Sequence, residues 1–347
     1  MGHCLNMFSG FKSKLPGIPS LDQLINQSPI PQAAGNLGAA VLGVAGKPSV
    51  TQEVYDELVH YFKYASTAYA IILPGPSLIP VRPNGRKLVG KMFDLLTDSH
   101  GYVARDDTKR EIIVAFRGSV SPANFITDGA GFLVDWDVAN SKIVAPTGTK
   151  VHLGFQTAWH TISTKTMMIV AAEHAAHPDY AIVTTGHSLG GALAALAAIS
   201  ITLTYPSVQV RCYTYGQPRT GNAVFASWVN EKIGAKRLYR VVHSNDGVPT
   251  MAPAILGFAH HSTEYWALSP HSPQQTYICV PAGVDPGLED PEGSQKLPTL
   301  GINPAHLSYT PPPKVSGISY TACSRVPLDQ SSSKLYELKD SIMGYYS

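Results

Sequence analysis

Charge, cysteine and long apolar stretches are all scarce in this chain. Only 14% of its 347 residues are Asp, Glu, Lys or Arg, the formal net charge is +2, and the basic residues are not clustered. That leaves no electrostatic footprint for a nucleic-acid partner. The four cysteines, Cys4, Cys212, Cys279 and Cys323, show no CxxC or Cys/His spacing. Such a pattern speaks against a metal site and against a disulfide framework. If a pair forms, Cys279 with Cys323 is favoured, whereas Cys212 lies in an apolar strand pattern and reads as a buried thiol. No apolar run reaches about 18 residues without interruption, so no membrane-spanning helix is expected. The start, Met1-Gly2-His3-Cys4-Leu5-Asn6, lacks the basic-then-apolar order of a signal peptide. Asn6 also stands where a myristoylation signal wants Ser or Thr. No internal repeat is visible.

Hydrophobic residues make up 44% of the chain, with 30 Gly and 27 Pro. This composition suits one large, loop-rich globular domain of the secreted type. Residues 1–48, broken by Pro16, Pro19, Pro29 and Pro31, read as an N-terminal extension or pro-segment. Residues 49–347 then form the domain proper with a C-terminal tail. The domain opens with a helix at 51–62, capped by Thr51 and apolar at Val54, Leu58, Tyr61 and Phe62. A hairpin follows a long irregular region, with strands at 101–105 and 111–116 around the turn at Asp106-Asp107. After a helix at 155–176, strand and helix alternate. Strands are expected at 181–183, 208–215 and 237–243, with helices after Ser188 and at 223–233. Runs at 265–268 and 276–280 suggest an antiparallel edge. The expected fold class is α/β, a mainly parallel sheet with helices on both faces.

One stretch carries the chemistry. Ala181-Ile182-Val183 leads into Thr184-Thr185-Gly186-His187-Ser188-Leu189-Gly190-Gly191, and Ala192 to Ala198 is helix-forming. This is Gly-x-Ser-x-Gly in its strand–turn–helix setting, where the tight turn exposes a serine above the sheet edge. The two glycines remove side chains that would clash as strand and helix converge. The helix start turns free N–H groups towards a developing oxyanion.

A serine hydroxyl needs a base, and the base needs an orienting carboxylate. Asp246 fits the acid, since it follows the strand Leu238-Tyr239-Arg240-Val241-Val242 at its carboxyl end. An ordinary Asp-Gly turn is the competing reading. Asp285, Glu289 and Asp290 lie in a Pro/Gly-rich loop and read as solvated charges; Glu264, between aromatics, reads as a buried structural group. His260, His261, His271 and His306 are candidates for the base, and spacing alone does not choose among them. His260 and His261 precede a strand, the wrong end for a ligand face, so His306 after the last strand is preferred. His187 reads as structural. One oxyanion N–H is expected from Leu189 and the other from Ser119, which closes the second strand.

Five motifs occur in order: Ala115-Phe116-Arg117-Gly118-Ser119, Val151-His152-Leu153-Gly154-Phe155, Thr185 to Ala192, Tyr215-Gly216-Gln217-Pro218-Arg219 and Glu264-Tyr265-Trp266. Over residues 50–310 the chain resembles the class 3 fungal lipases, a family that includes feruloyl esterases. The resemblance implies an α/β-hydrolase fold without cofactor or metal. It implies Ser188 as nucleophile, Asp246 as acid, His306 as base, and Ser119 and Leu189 as oxyanion donors. Val120 to Asp128 falls where family lipases carry a lid, with Val120, Phe125 and Ile126 as candidate apolar contacts and Phe132 to Val134 as further lid or core residues. Ala70 stands where the family usually has a disulfide cysteine.

The function so implied is a serine carboxylic-ester hydrolase, a lipase acting on acylglycerols at an oil–water interface, secreted and monomeric. A feruloyl or soluble-ester esterase is the alternative within the class. A non-catalytic lipid-binding protein is the alternative outside it, and an intact set of Ser188, Asp246 and His306 argues against that.

Overall fold

The computed structural model describes residue 44 and residues 46–69, 82–119, 132–137, 145–280, 289–297, 299 and 301–309. An eight-stranded sheet runs in the order β1-β2-β3-β6-β7-β9-β11-β12. Its strands are β1 (Lys87–Asp94), β2 (Ser99–Asp106), β3 (Glu111–Phe116), β6 (Ala181–His187), β7 (Val210–Tyr215), β9 (Leu238–His243), β11 (Glu264–Ala267) and β12 (Thr276–Cys279). The five central strands are parallel; β1–β2, β2–β3 and β11–β12 are antiparallel. The sheet is therefore mixed, with α-helical crossovers joining β3 to β6, β6 to β7 and β7 to β9, and a loop joining the parallel pair β9 and β11.

Side-chain alternation divides the core in two. On β3, Ile112, Val114 and Phe116 face a cluster with α2 (Leu153–Ala176), α3 (Leu189–Thr204) and α4 (Ala223–Ile233). Ile113 and Ala115 face the opposite cluster, built on α1 (Gln52–Thr67). Because both faces are covered, all six residues of β3 are buried. In α3 every residue from Leu189 to Ile201 is buried. Its alanine run lets the helix lie close on the strands behind the serine. Thr51 caps α1 by accepting the Val54 N–H at 3.3 Å. Across the α1 face, Tyr61, Tyr213, Tyr239 and Tyr265 stack in succession, with centroids 4.1, 4.3 and 5.3 Å apart.

Several features lie beyond the reach of sequence patterning. Strand β1 occupies part of the region expected to be irregular. A second, four-stranded sheet, β10-β8-β5-β4, forms from β4 (Leu133–Asp135), β5 (Lys150–His152), β8 (Gly221–Asn222) and β10 (Phe258–Ala259). It takes in Leu133 and Val134, half-buried, while Phe132 is 65% exposed. Val44, inside the expected extension, is buried with Val242, Trp266 and Leu268. Pro48 and Ser49 pair with the edge strand β12. Cys212 and Cys279 are buried free thiols, which is against the pairing of Cys279. Cys4, Ala70, Val120, Phe125, Ile126, Asp285, Cys323 and the tail lie outside the described residues.

Glu289 and Asp290 are not solvated, contrary to the reading from composition. Glu289 receives both Nε and Nη2 of Arg219, and the buried Asp290 pairs with Lys47. Loop carboxylates are held this way only when distant cations fold against them, and local sequence does not reveal that. Glu264 is the buried structural group expected. Its Oε2 accepts from Arg240 Nη2 at 2.9 Å and from the Ser294 hydroxyl at 3.1 Å, and its Oε1 accepts the Ser294 N–H at 2.7 Å. Removing one partner of such a pair strands a buried charge. Glu264→Ala should therefore cost about 3–5 kcal/mol, read as a lower urea midpoint at unchanged slope. An unaltered midpoint would show that the pair does not stabilise the fold.

Candidate active site

Ser188 joins β6 to α3 with φ +59° and ψ −129°, a conformation a non-glycine residue seldom holds. Its N–H donates to Tyr215 O at 2.8 Å, and its carbonyl accepts the Gly191 N–H at 2.9 Å. The flanking glycines are required by distance. A Cβ on Gly186 would sit 2.0 Å from Gly190 O, and one on Gly190 would sit 2.4 Å from Phe116 O. The turn is thus clamped between its own helix and the end of β3. There Gly118 passes so close that a Cβ on it would lie 3.0 Å from the Ser188 Cβ. Ser119, half-buried, is the next residue, and Leu189 begins α3. The two residues expected to supply oxyanion N–H groups therefore flank the serine from β3 and from the helix start.

Asp246 follows β9 and is 2% exposed. Its Oδ2 accepts from His306 Nδ1 at 2.8 Å and from the Tyr309 hydroxyl, and its Oδ1 accepts the Val248 N–H at 2.9 Å. Burial alone would raise its pKa. The charge on His306 and the hydrogen bonds from His306, Tyr309 and Val248 outweigh it, so the carboxyl is held below its ordinary value. His306 lies in the short helical turn Pro304–Leu307. Asn303 caps that turn by accepting the Ala305 N–H at 3.0 Å, and donates from Nδ2 to Asn245 O at 2.6 Å, tying the His306 loop to the Asp246 loop. Gly216, at φ +58°, makes room for the pair: a Cβ there would lie 2.8 Å from Asp246 Oδ2 and from His306 Nδ1.

With Nδ1 engaged by the carboxylate, Nε2 is the ring atom of His306 left to interact with the serine. Two buried atoms of this group have no hydrogen-bond partner among the described residues, Ser188 Oγ and His306 Nε2. The serine–histidine hydrogen bond is not formed in this structure. Ser188 and His306 are 0% and 1% exposed, so the chemistry would take place away from bulk water.

The rival histidines are engaged elsewhere. His260 Nε2 bonds Pro249 O at 2.9 Å. His261 bonds Gln217 at 3.2 Å and Ser262 O at 2.9 Å. His271 packs on His243, centroids 4.5 Å apart. His187 is structural in its contacts, holding Tyr69 and the His306 carbonyl. Tyr309, in the motif that carries His306, was not singled out by sequence reasoning. The only signal for it is its place three residues after His306. Among the described residues no three His, Cys, Asp or Glu side chains are arranged to hold a metal ion, and no helix is long and apolar enough to cross a membrane.

The family model for class 3 lipases matches residues 113–256. A secreted mono- and diacylglycerol lipase 1 of Fusarium solani is 35% identical over 227 residues, covering 63% of this chain and 65% of that protein. This chain thus spans slightly less than two thirds of that relative's length. A lipase of Rhizomucor miehei is 30% identical over 271 residues, covering 76% of this chain and 70% of that protein. Among solved structures, lipase II from Rhizopus niveus superposes with a TM-score of 0.65 at 30% identity, covering 75% of this chain and 96% of that one. A triacylglycerol lipase whose catalytic centre is described as a serine protease triad gives the same TM-score at 29% identity, covering 76% and 97%.

Burial keeps many histidines neutral. It lowers His187 to about 3 and His152, His261 and His271 to about 4, and it pushes His243 and His260 down as well. A histidine depressed in the folded state takes up a proton only on unfolding once the pH falls below its ordinary 6.5. The unfolded chain then binds more protons, so stability falls with falling pH. Thermal midpoints measured from pH 7 to pH 4 should drop steadily, at more than the ~1.4 kcal/mol per pH unit of a single histidine. A flat profile across that window would show that these rings are not neutral.

Proposed function

Because the chain belongs to the class 3 lipase family and has its α/β-hydrolase fold, we propose that it is a serine carboxylic-ester hydrolase acting on acylglycerols, with Ser188, Asp246 and His306 as its catalytic residues. The observation that carries this reading is the pattern of free and engaged atoms. Asp246 and His306 Nδ1 are bound to each other, whereas Ser188 Oγ and His306 Nε2, the two atoms that must exchange a proton, have no hydrogen-bond partner among the described residues.

The cycle follows from those positions. Ester binding brings the serine hydroxyl within reach of Nε2, a bond often long in the unliganded state. Ser188 Oγ attacks the carbonyl carbon while its proton passes to His306. Asp246, held ionised by its donors, stabilises the imidazolium and fixes the tautomer. The N–H groups of Ser119 and Leu189 receive the oxyanion. Collapse of the tetrahedral intermediate returns the proton to the departing alcohol and leaves an acyl-serine. Water, deprotonated by His306, then releases the acid. The burial of Ser188 means that cover must move aside before an ester carbonyl can reach it.

Acylglycerols are the proposed substrates because the relatives carry those names, among them a mono- and diacylglycerol lipase and a triacylglycerol lipase. Secretion is proposed on the same basis, since the Fusarium protein is called secreted. Action at an oil–water interface, as a monomer, completes the proposal. The segment holding Val120, Phe125 and Ile126, which immediately follows the oxyanion residue Ser119, would supply the contact with the acyl chain.

The test is hydrolysis of p-nitrophenyl esters of rising chain length, below and above their solubility limits, alongside methyl ferulate. Long-chain esters should be favoured, with a rise in rate once a separate phase forms. A preference for the ferulate would overturn the acylglycerol assignment. Ser188→Ala should lose at least about 1,000-fold in kcat and Asp246→Asn about as much. Full activity in Ser188→Ala would remove the serine mechanism altogether.

A further inference from the structure

His187 has no step in the proposed chemistry, yet it stands next to the nucleophile in the chain and against the base in space. Its ring is 2% exposed and lies 4.4 Å, centroid to centroid, from the His306 ring. Nε2 is 2.8 Å from the His306 carbonyl oxygen, and Nδ1 is 2.8 Å from the Tyr69 hydroxyl. A carbonyl only accepts, so the proton of the neutral ring sits on Nε2, and Nδ1 must accept from Tyr69. Tyr69 follows the C-cap of α1, Ala68, and its hydroxyl lies against Gly118 of the oxyanion segment. One hydrogen-bonded chain therefore links the end of α1, the elbow and the backbone of the base.

A second histidine acts on the neighbouring peptide unit. His243, the last residue of β9, donates from Nδ1 to the Ala305 carbonyl at 3.1 Å, and its Nε2 meets the Ser269 hydroxyl at 3.2 Å. Consecutive carbonyls, of Ala305 and His306, are thus held by imidazoles from two different strand ends. The loop that carries the base is a single helical turn and has little rigidity of its own.

We propose that His187, oriented by Tyr69, is a positioning residue that sets the His306 loop in register with Ser188, with His243 as the second brace. This rests on Ser188, Asp246 and His306 being the catalytic group. The logic is direct: the residue that precedes the strained serine in the chain also grips the backbone of the base, so one side chain ties the two together. The His187 ring is also neutral, which places no positive charge against His306 when that ring takes up the serine proton. Loss of the brace should misplace Nε2 by a fraction of an ångström to an ångström, an error that costs about 10- to 100-fold in rate.

The test compares His187→Leu, His187→Gln and Tyr69→Phe with the unaltered protein, using a soluble p-nitrophenyl ester and the rate at which a p-nitrophenyl phosphonate labels Ser188. His187→Leu should lower kcat and the labelling rate by about 10- to 100-fold with KM little changed. His187→Gln, whose amide N–H can still donate to the His306 carbonyl, should recover part of that loss. Tyr69→Phe, which keeps its ring, should lower kcat severalfold and serves if His187→Leu does not fold. A folded His187→Leu with undiminished kcat overturns the proposal, as do equal losses in the Leu and Gln variants, which would mean packing alone. Undiminished kcat in Tyr69→Phe removes the tautomer link. Failure of the unaltered protein to be labelled would instead bring down the hydrolase reading itself.

Discussion

The close approach of three backbone segments at Gly186, Gly190 and Gly118 is the constraint on which the rest depends. With a Cβ on Gly186 the helix could not start where it does, and with one on Gly190 it could not lie against the end of β3. Those contacts force Ser188 into its positive-φ conformation and bring the oxyanion segment beside it. They also explain why α3 is apolar on every side: a helix starting that close to the sheet is enclosed by strands and by neighbouring helices alike. Strain at one serine is held by a large, uniformly buried element.

Around that fixed point the proposed acid and base, Asp246 and His306, are held by many weak constraints rather than one. The carboxylate of Asp246 has donors on both oxygens, and the His306 turn is tied through Asn303 to the loop of its own partner. Gly216 leaves the space in which the two groups meet. Such a pair keeps its geometry while the proton moves, because the protein dipoles around it are already oriented.

The parts of this arrangement legible in the sequence are those whose cause is local. Gly186 to Gly190 announces its turn because the clash that bars a side chain at Gly186 is with Gly190 itself, within the same five residues. Asp246 is recognisable because it sits in the short loop that follows the strand Leu238-Tyr239-Arg240-Val241-Val242. Among four histidines His306 alone follows the last strand, and in the structure it joins Asp246. What escaped notice depends on tertiary contact. Glu289 and Asp290 look like loop charges until Arg219 and Lys47 arrive from elsewhere in the chain. Strands of two or three residues, as in the small sheet, carry too few side chains to show a period. The role of Tyr309 appears only once β9 is placed beside it.

The pairing of the large sheet bears on how freely the site could be remodelled. β2 meets β3 at Gly101 and Phe116, 116 − 101 = 15 positions apart, whereas β3 meets the nucleophile strand at Phe116 and Gly186, 186 − 116 = 70 positions apart. Asp246 and His306 are separated by 60. Chain entropy grows only with the logarithm of the enclosed length, about 0.6 kcal/mol for each doubling, so the longer closure costs only about 1.4 kcal/mol more than the hairpin. Segments between the strand ends can therefore lengthen at small thermodynamic expense while the clamped turn stays where it is. In this architecture the chemistry is anchored by backbone contacts measured in tenths of an ångström.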